Sequence, residues 1–191
     1  TICGVSVHMP SPLHVAFCAR DTGIWRIDRI SAVKGAALPA AERLDICEGS
    51  ALSLPPGAAW TLRGVTSNAR YTRRAELDSL TAVQEPLGRP QSRCAALIPI
   101  RKTETWWALA QDERRAIFEE QSHHIDIGLH YLPEVARRLH HARDLGEPFD
   151  FLTWFEYAPE HSAAFERMVD SLRQTPEWDF VDREVDIRLS R

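Results

Sequence analysis

The spacing of apolar and polar positions is weak at the start of the chain and sharp at its end. Residues 1–58 hold short apolar runs such as GIWRIDRISAV (23–33), broken by MPSP and SLPPGAA. This predicts irregular strands joined by Pro-rich loops. WTLRGVTSNARYTRR (60–74) predicts a strand running into a turn. AELDSLTAVQ (75–84) spaces Leu77, Leu80 and Val83 as a helix does, and EPLGRP ends it. CAALIPI (94–100) predicts a buried strand. AQDERRAIFEEQSHH (110–124) predicts a helix, with Asp112 and Glu113 favourable in its first turn and paired histidines at its end. In VARRLHHARDL (135–145), Val135, Arg137, Leu139 and His141 share a face if the run is a strand, and a helix also fits. The aromatic FDFLTWFEY (149–157) follows GEP and offers that strand a partner. PEHSAAFERMVDSLRQ (159–174) opens on Pro and lines Ala164, Phe165, Met168, Val169 and Leu172 on one helical face. WDFVDREVDIRL (178–189) closes the chain as a strand.

The order over 94–190 is therefore β-α-β-β-α-β, the ferredoxin-like unit. Residues 60–84 echo it weakly. The expected fold class is α+β with two ferredoxin-like units, a degenerate N-terminal half over 1–93 and a complete one over 94–191.

Composition narrows the function. The chain has 191 residues, 44% of them hydrophobic, enough for one large domain or two small ones. A net charge of −4 gives no general attraction to nucleic acid or to anionic membranes. Basic charge is nearly all arginine, since only Lys34 and Lys102 are lysines. A planar guanidinium suits oxyanion ligands, although GC-rich codon usage yields the same bias. Cys3, Cys18, Cys47 and Cys94 form no CxxC and read as small hydrophobes. No run approaches a membrane span and no secretory signal is visible, so a cytoplasmic location is the expectation, although the first residue is Thr and not Met.

Six of the eight histidines fall between 123 and 161. Neutral imidazole is a good ligand for iron, copper or zinc; equally, histidines at a helix end are often caps. A bare-metal site from His123, His130 and His141 would need further ligands. Adjacent Trp106 and Trp107 could wall a flat macrocycle or fill a core. No phosphate loop, nucleophile elbow or paired-carboxylate signature stands out.

The run AALIPIRKTETWWALAQDERRAIFEEQSHHIDIGLHYLPEVARRLHHARDLGEPFDFLTWFEYAPEH resembles the haem domain of chlorite dismutases. The likeness runs from about residue 60, at LRGVTSNARY, to the end, and it is strongest to the short, dimeric branch. Its specific part is paired Trp, then His, then Arg thirteen positions after that His, then FDFLTWFEYAPEH. By this resemblance His124 matches the proximal haem and metal ligand, with His123 as the competing choice. Arg137 matches the distal arginine facing bound oxyanion, while Arg138 would point the other way on a strand. Glu177 matches the carboxylate that accepts the proximal imidazole N–H. Lys102 and Tyr71 match residues that reach the haem propionates, and Trp106 and Trp107 match the tryptophans lining the haem. The resemblance implies a dimeric α/β barrel made of the two ferredoxin-like units, haem b with its iron as cofactor, and a homodimer. The implied reaction decomposes chlorite to chloride and dioxygen, with O–O bond formation at the haem, while Arg137 retains a hypochlorite-level fragment. Coproheme decarboxylases and dye-decolourising peroxidase-like relatives share the broad fold, although the former usually lack arginine at the distal position. A non-enzymatic haem-binding or haem-sensing module and a cofactor-free interaction domain also remain open.

Overall fold

The computed structural model describes residues 12–49, 54–66, 71–83 and 86–191. The MPSP run and the SNAR turn lie mostly or wholly outside them. Eight strands close an antiparallel barrel: β1 (His14–Arg20), β2 (Trp25–Lys34), β3 (Arg43–Glu48), β4 (Trp60–Thr66), β5 (Cys94–Lys102), β6 (Val135–His141), β7 (Phe151–Tyr157) and β8 (Val181–Ser190). Around the ring they run β1-β3-β2-β8-β5-β7-β6-β4. The first half contributes β4-β1-β3-β2 and the second β8-β5-β7-β6, so both carry the ferredoxin-like order fourth-first-third-second. The N-terminal half is the degenerate one: residues 21–24 alone link β1 to β2, where the second half places helices between β5 and β6.

Two apolar layers follow from the strand period of two. Val15, Phe17 and Ala19 of β1, Leu97 of β5, Trp154 of β7 and Ile187 of β8 fill the barrel interior. There Phe17 and Trp25 both pack on the Trp154 ring, at centroid distances of 5.7 and 5.4 Å. The opposite face of the second half carries Ala96, Ile98, Ile100, Val135 and Phe155, covered by helix α5 (Ser162–Arg173). α5 turns Phe165, Met168, Val169 and Leu172 onto that face; burying such side chains stabilises by about 1.5–3 kcal/mol each. In the sequence-based choice for VARRLHHARDL, strand prevails, because β6 pairs along its length with β7.

The remaining helices are α1 (Arg74–Val83), α2 (Glu104–Ala108), α3 (Gln111–Arg115) and α4 (His124–His130). They correct the expectation of one helix ending at His123–His124. After α3 the chain widens into a π-helical turn, Ala116–Gln121, and then breaks. His123 takes a left-handed conformation (φ 53°), and His124 opens α4 instead of closing the preceding helix. Glu119 spans the break, because its side chain accepts from the Ile125 N–H at 2.6 Å. The strand expected from 178 begins at Val181, since Pro176–Phe180 forms a 3₁₀ turn first. No helix among the described residues is long and apolar enough to cross a membrane.

Candidate active site

Lys102 is the last residue of β5. Counting by two from Ile98 and Ile100 puts it on the outer, α5-covered face, and a register shift between Arg101 and Lys102 precedes its pairing with Val181 of β8. Its ammonium is only 1% exposed and donates to Glu177 Oε1 at 2.7 Å. Glu177 sits in the 3₁₀ turn, and its other oxygen, Oε2, lies 2.6 Å from His124 Nδ1. Ser122, at the helix break, accepts the Glu177 backbone N–H through its hydroxyl at 2.9 Å. A cation, a carboxylate and an imidazole brought from three elements thus share one buried point.

Burial alone would raise the Glu177 carboxyl, but His124 and Lys102, through charge and hydrogen bonds, outweigh it and hold the pKa down at about 2. An ionised Glu177 must accept from Nδ1–H. This fixes the tautomer and leaves the His124 Nε2 lone pair directed away from the carboxylate. His124 is the partly exposed member of the set, 22% by side chain. Its ring stacks on Phe118 at 4.5 Å and lies parallel to Trp178 at 6.4 Å. His123 is exposed and stands outside this network. Of the two histidines, only His124 is held in this network among the described residues.

An aromatic wall continues from Phe118. Tyr71 meets Phe118 at 6.0 Å and the edge of Trp106 at 6.2 Å. The Tyr71 hydroxyl accepts from Arg114 at 3.3 Å. Trp106 is 1% exposed and lies beneath the Lys102 ammonium at 4.3 Å. Its indole N–H is buried with no hydrogen-bond partner among the described residues. Trp107 turns the other way: it stacks on Phe151 and donates to Asp150 Oδ2 at 3.1 Å. Lys102 departs from the expected contact with a propionate, because its single ammonium is buried against Glu177.

Arg137 lies on β6 opposite Phe155, on the outer face with Val135. Burial lowers its pKa from the ordinary guanidinium value, yet arginine starts so high that it stays cationic. Arg138 points to the other face as strand parity requires, donating to His140 at 2.9 Å and to Glu48 at 2.6 Å. The Arg137 guanidinium rests on Gly128 of α4, one turn beyond His124. The structure therefore gathers His124, Glu177, Lys102, Trp106 and Tyr71 in one cluster and brings Arg137 to the same helix. Phe118, Ser122, Gly128 and Trp178 complete the site, and the sequence carried no signal for them beyond the adjacency of Trp178 to Glu177.

A family model for chlorite dismutase matches residues 49–191. The chain belongs to the chlorite dismutase family. It is 57% identical to the dimeric chlorite dismutase of Nitrobacter winogradskyi, covering 93% of this chain and 99% of that one with a TM-score of 0.85. A chlorite dismutase of Ideonella dechloratans is 34% identical over 85 residues, 44% of this chain and 28% of that relative; the chain thus matches under a third of that curated relative's length. The chlorite dismutase fold is also shared with a Candidatus Nitrospira defluvii variant structure, at 20% identity and a TM-score of 0.67 over 94% of this chain and 91% of that one.

The residues present fit a haem. Among the described residues no group of three or more His, Cys, Asp or Glu could hold a metal ion. That leaves no built site at His123, His130 and His141. A single oriented imidazole beside an aromatic wall is instead the donor set for iron carried by a macrocycle. The unpartnered Trp106 indole N–H lies in the same wall.

Proposed function

We propose that the chain is a haem b enzyme, a chlorite O₂-lyase acting as a homodimer, that decomposes chlorite to chloride and dioxygen. One observation carries the reading: His124 Nδ1 is held at 2.6 Å by a Glu177 carboxylate that Lys102 anchors from its other oxygen. The relation to a dimeric enzyme at 57% identity supports the assembly and the substrate.

When bound, haem b supplies the redox chemistry of oxygen-atom transfer and O–O bond formation. His124 would ligate it through Nε2, and Tyr71, Trp106 and Phe118 would form the walls. Glu177 keeps the proton on His124 Nδ1, which fixes the ring's orientation and strengthens its electron donation. Lys102 holds the carboxylate in place and keeps it ionised. Arg137 supplies fixed, partly desolvated donors for chlorite and for the chlorine–oxygen fragment that must not escape before recombination. Arginine here separates this reading from that of a coproheme decarboxylase.

Haem-loaded protein given chlorite in an oxygen electrode should release one dioxygen per chlorite. Arg137→Ala should keep the Soret band, deliver severalfold more hypochlorite to a chemical trap and inactivate sooner. A haem-loaded wild type that evolves no oxygen contradicts the activity. Unchanged leakage from the variant contradicts the clamp.

A further inference from the structure

The outer face of the second half is lined by Ile98, Ile100, Val135 and Phe155, yet β8 buries two carboxylates in it. Glu184 pairs with Ile100 across the sheet, and Asp186 follows two positions on. Arg173 of α5 answers both. Its Nε and Nη2 donate to Glu184 Oε1 at 2.8 and 2.6 Å, and Nη2 also donates to Asp186 Oδ2 at 2.8 Å. A buried ion pair often adds no stability over apolar packing, so its reason is sought in what it holds. Arg173 leaves the second Glu184 oxygen to another donor. That oxygen, Oε2, accepts the Trp178 indole N–H at 2.8 Å. Trp178 follows Glu177 in the 3₁₀ turn, and its ring lies within 22° of parallel to the His124 imidazole. Two neighbours in one turn thus face two partners: Glu177 reaches His124, and Trp178 reaches Glu184.

We propose that Glu184 is a positioning residue: held by Arg173, it pins the Trp178 indole and so fixes the turn from which Glu177 grips His124 Nδ1. The consequence at the cofactor rests on the reading of His124 as the haem ligand. With the indole released, the turn loosens at the residue next to Glu177, and the bond from Nδ1–H to Glu177 weakens. The imidazole then donates less strongly to a bound iron. Ser122 and Lys34 still hold the backbone of the turn, so release loosens it without unfolding it.

The test uses the full chain, with and without haem: wild type, Trp178→Phe, Glu184→Gln and the double variant. In NMR spectra of the haem-free protein, the indole N–H signal lost in Trp178→Phe belongs to Trp178. In Glu184→Gln that signal should move upfield and exchange its hydrogen severalfold faster, because a neutral acceptor holds the N–H less strongly. An unchanged signal overturns the pin. In the ferrous haem-loaded protein, resonance Raman should show the iron–imidazole stretch lowered in both single variants. The double variant should fall no further than Trp178→Phe, since the two residues act as one unit. A wild-type stretch in Trp178→Phe overturns the positioning role. So does a double variant that adds the full Glu184→Gln shift, because Glu184 would then act by its charge and not through the indole. Should Glu184→Gln fail to fold, Trp178→Phe decides the positioning role, since it leaves the pair with Arg173 intact. A wild type that binds no haem would defeat the ligand reading alone, and the exchange of the indole hydrogen would still decide the pin.

Discussion

Lys102 and His124 approach Glu177 from 75 and 53 positions away in sequence and take one carboxylate oxygen each. Removing one member of a buried ion pair leaves its partner charged and uncompensated, which costs about 3–5 kcal/mol. Lys102→Met should therefore lower the urea-unfolding free energy of the haem-free protein by about that much. A loss below about 1 kcal/mol would mean that Lys102 is dispensable to the cluster. Resemblance made His124, Glu177 and Arg137 legible as a set, and strand parity alone separated Arg137 from Arg138. The partner of Lys102 was not legible, because the ion pair closes only once the 3₁₀ turn folds Glu177 under the end of β5.

Among the elements, β6 joins the site to the seam of the barrel. Its outer face presents Arg137; its inner face presents His140, which is fully buried. His140 Nδ1–H donates to the Leu152 carbonyl at 2.8 Å, and Nε2 accepts from Arg138 at 2.9 Å. Both nitrogens are thus used by a neutral ring. Phe17 packs edge-on against it, the backbone of Gly64 on β4 lies against its Cβ, and Glu48 and His141 are the other nearby titratable groups. Burial, its largest cause, pushes the His140 pKa down from 6.5 to about 4. Between those values the unfolded chain binds the proton and the folded one does not. Stability is therefore full above about pH 6.5 and is lost as pH falls toward 4, by an amount of the order of 3 kcal/mol. Urea unfolding at pH 7 and pH 4.5 should show this loss in the wild type and a smaller one in His140→Phe; equal losses would contradict it. Local pattern found β5, β7, α5 and β8 because their apolar period is regular. It missed the break at Ser122–His123, where a π-helical turn and a left-handed residue interrupt an otherwise helical sequence.

At the scale of the molecule, two four-stranded halves of the same strand order close one barrel. β2 and β8 pair along most of their length, whereas among the described residues β4 meets β6 only at Val65–His141 and Thr66–His140. The second half carries most of the site on its outer face, but the first half supports it: Lys34 of β2 donates to the Trp178 and Val181 carbonyls at 2.9 and 3.1 Å, one inside and one directly after the turn that holds Glu177. The complete half was legible because each helix and strand there announces itself by period. The degenerate half was not, since β2 is bulged against β8 at two places and residues 21–24 stand where a helix would link β1 to β2, which leaves no regular period to read. On the function proposed above, this architecture orients one imidazole, that of His124, toward a porphyrin-held iron. Haemin titration of wild type, His123→Ala and His124→Ala, followed at the Soret band, tests it most directly. Stoichiometric binding and matching spectra are expected for the first two, with a lost or greatly weakened band for His124→Ala; full binding with an unchanged band in His124→Ala would rule out His124 as the ligand.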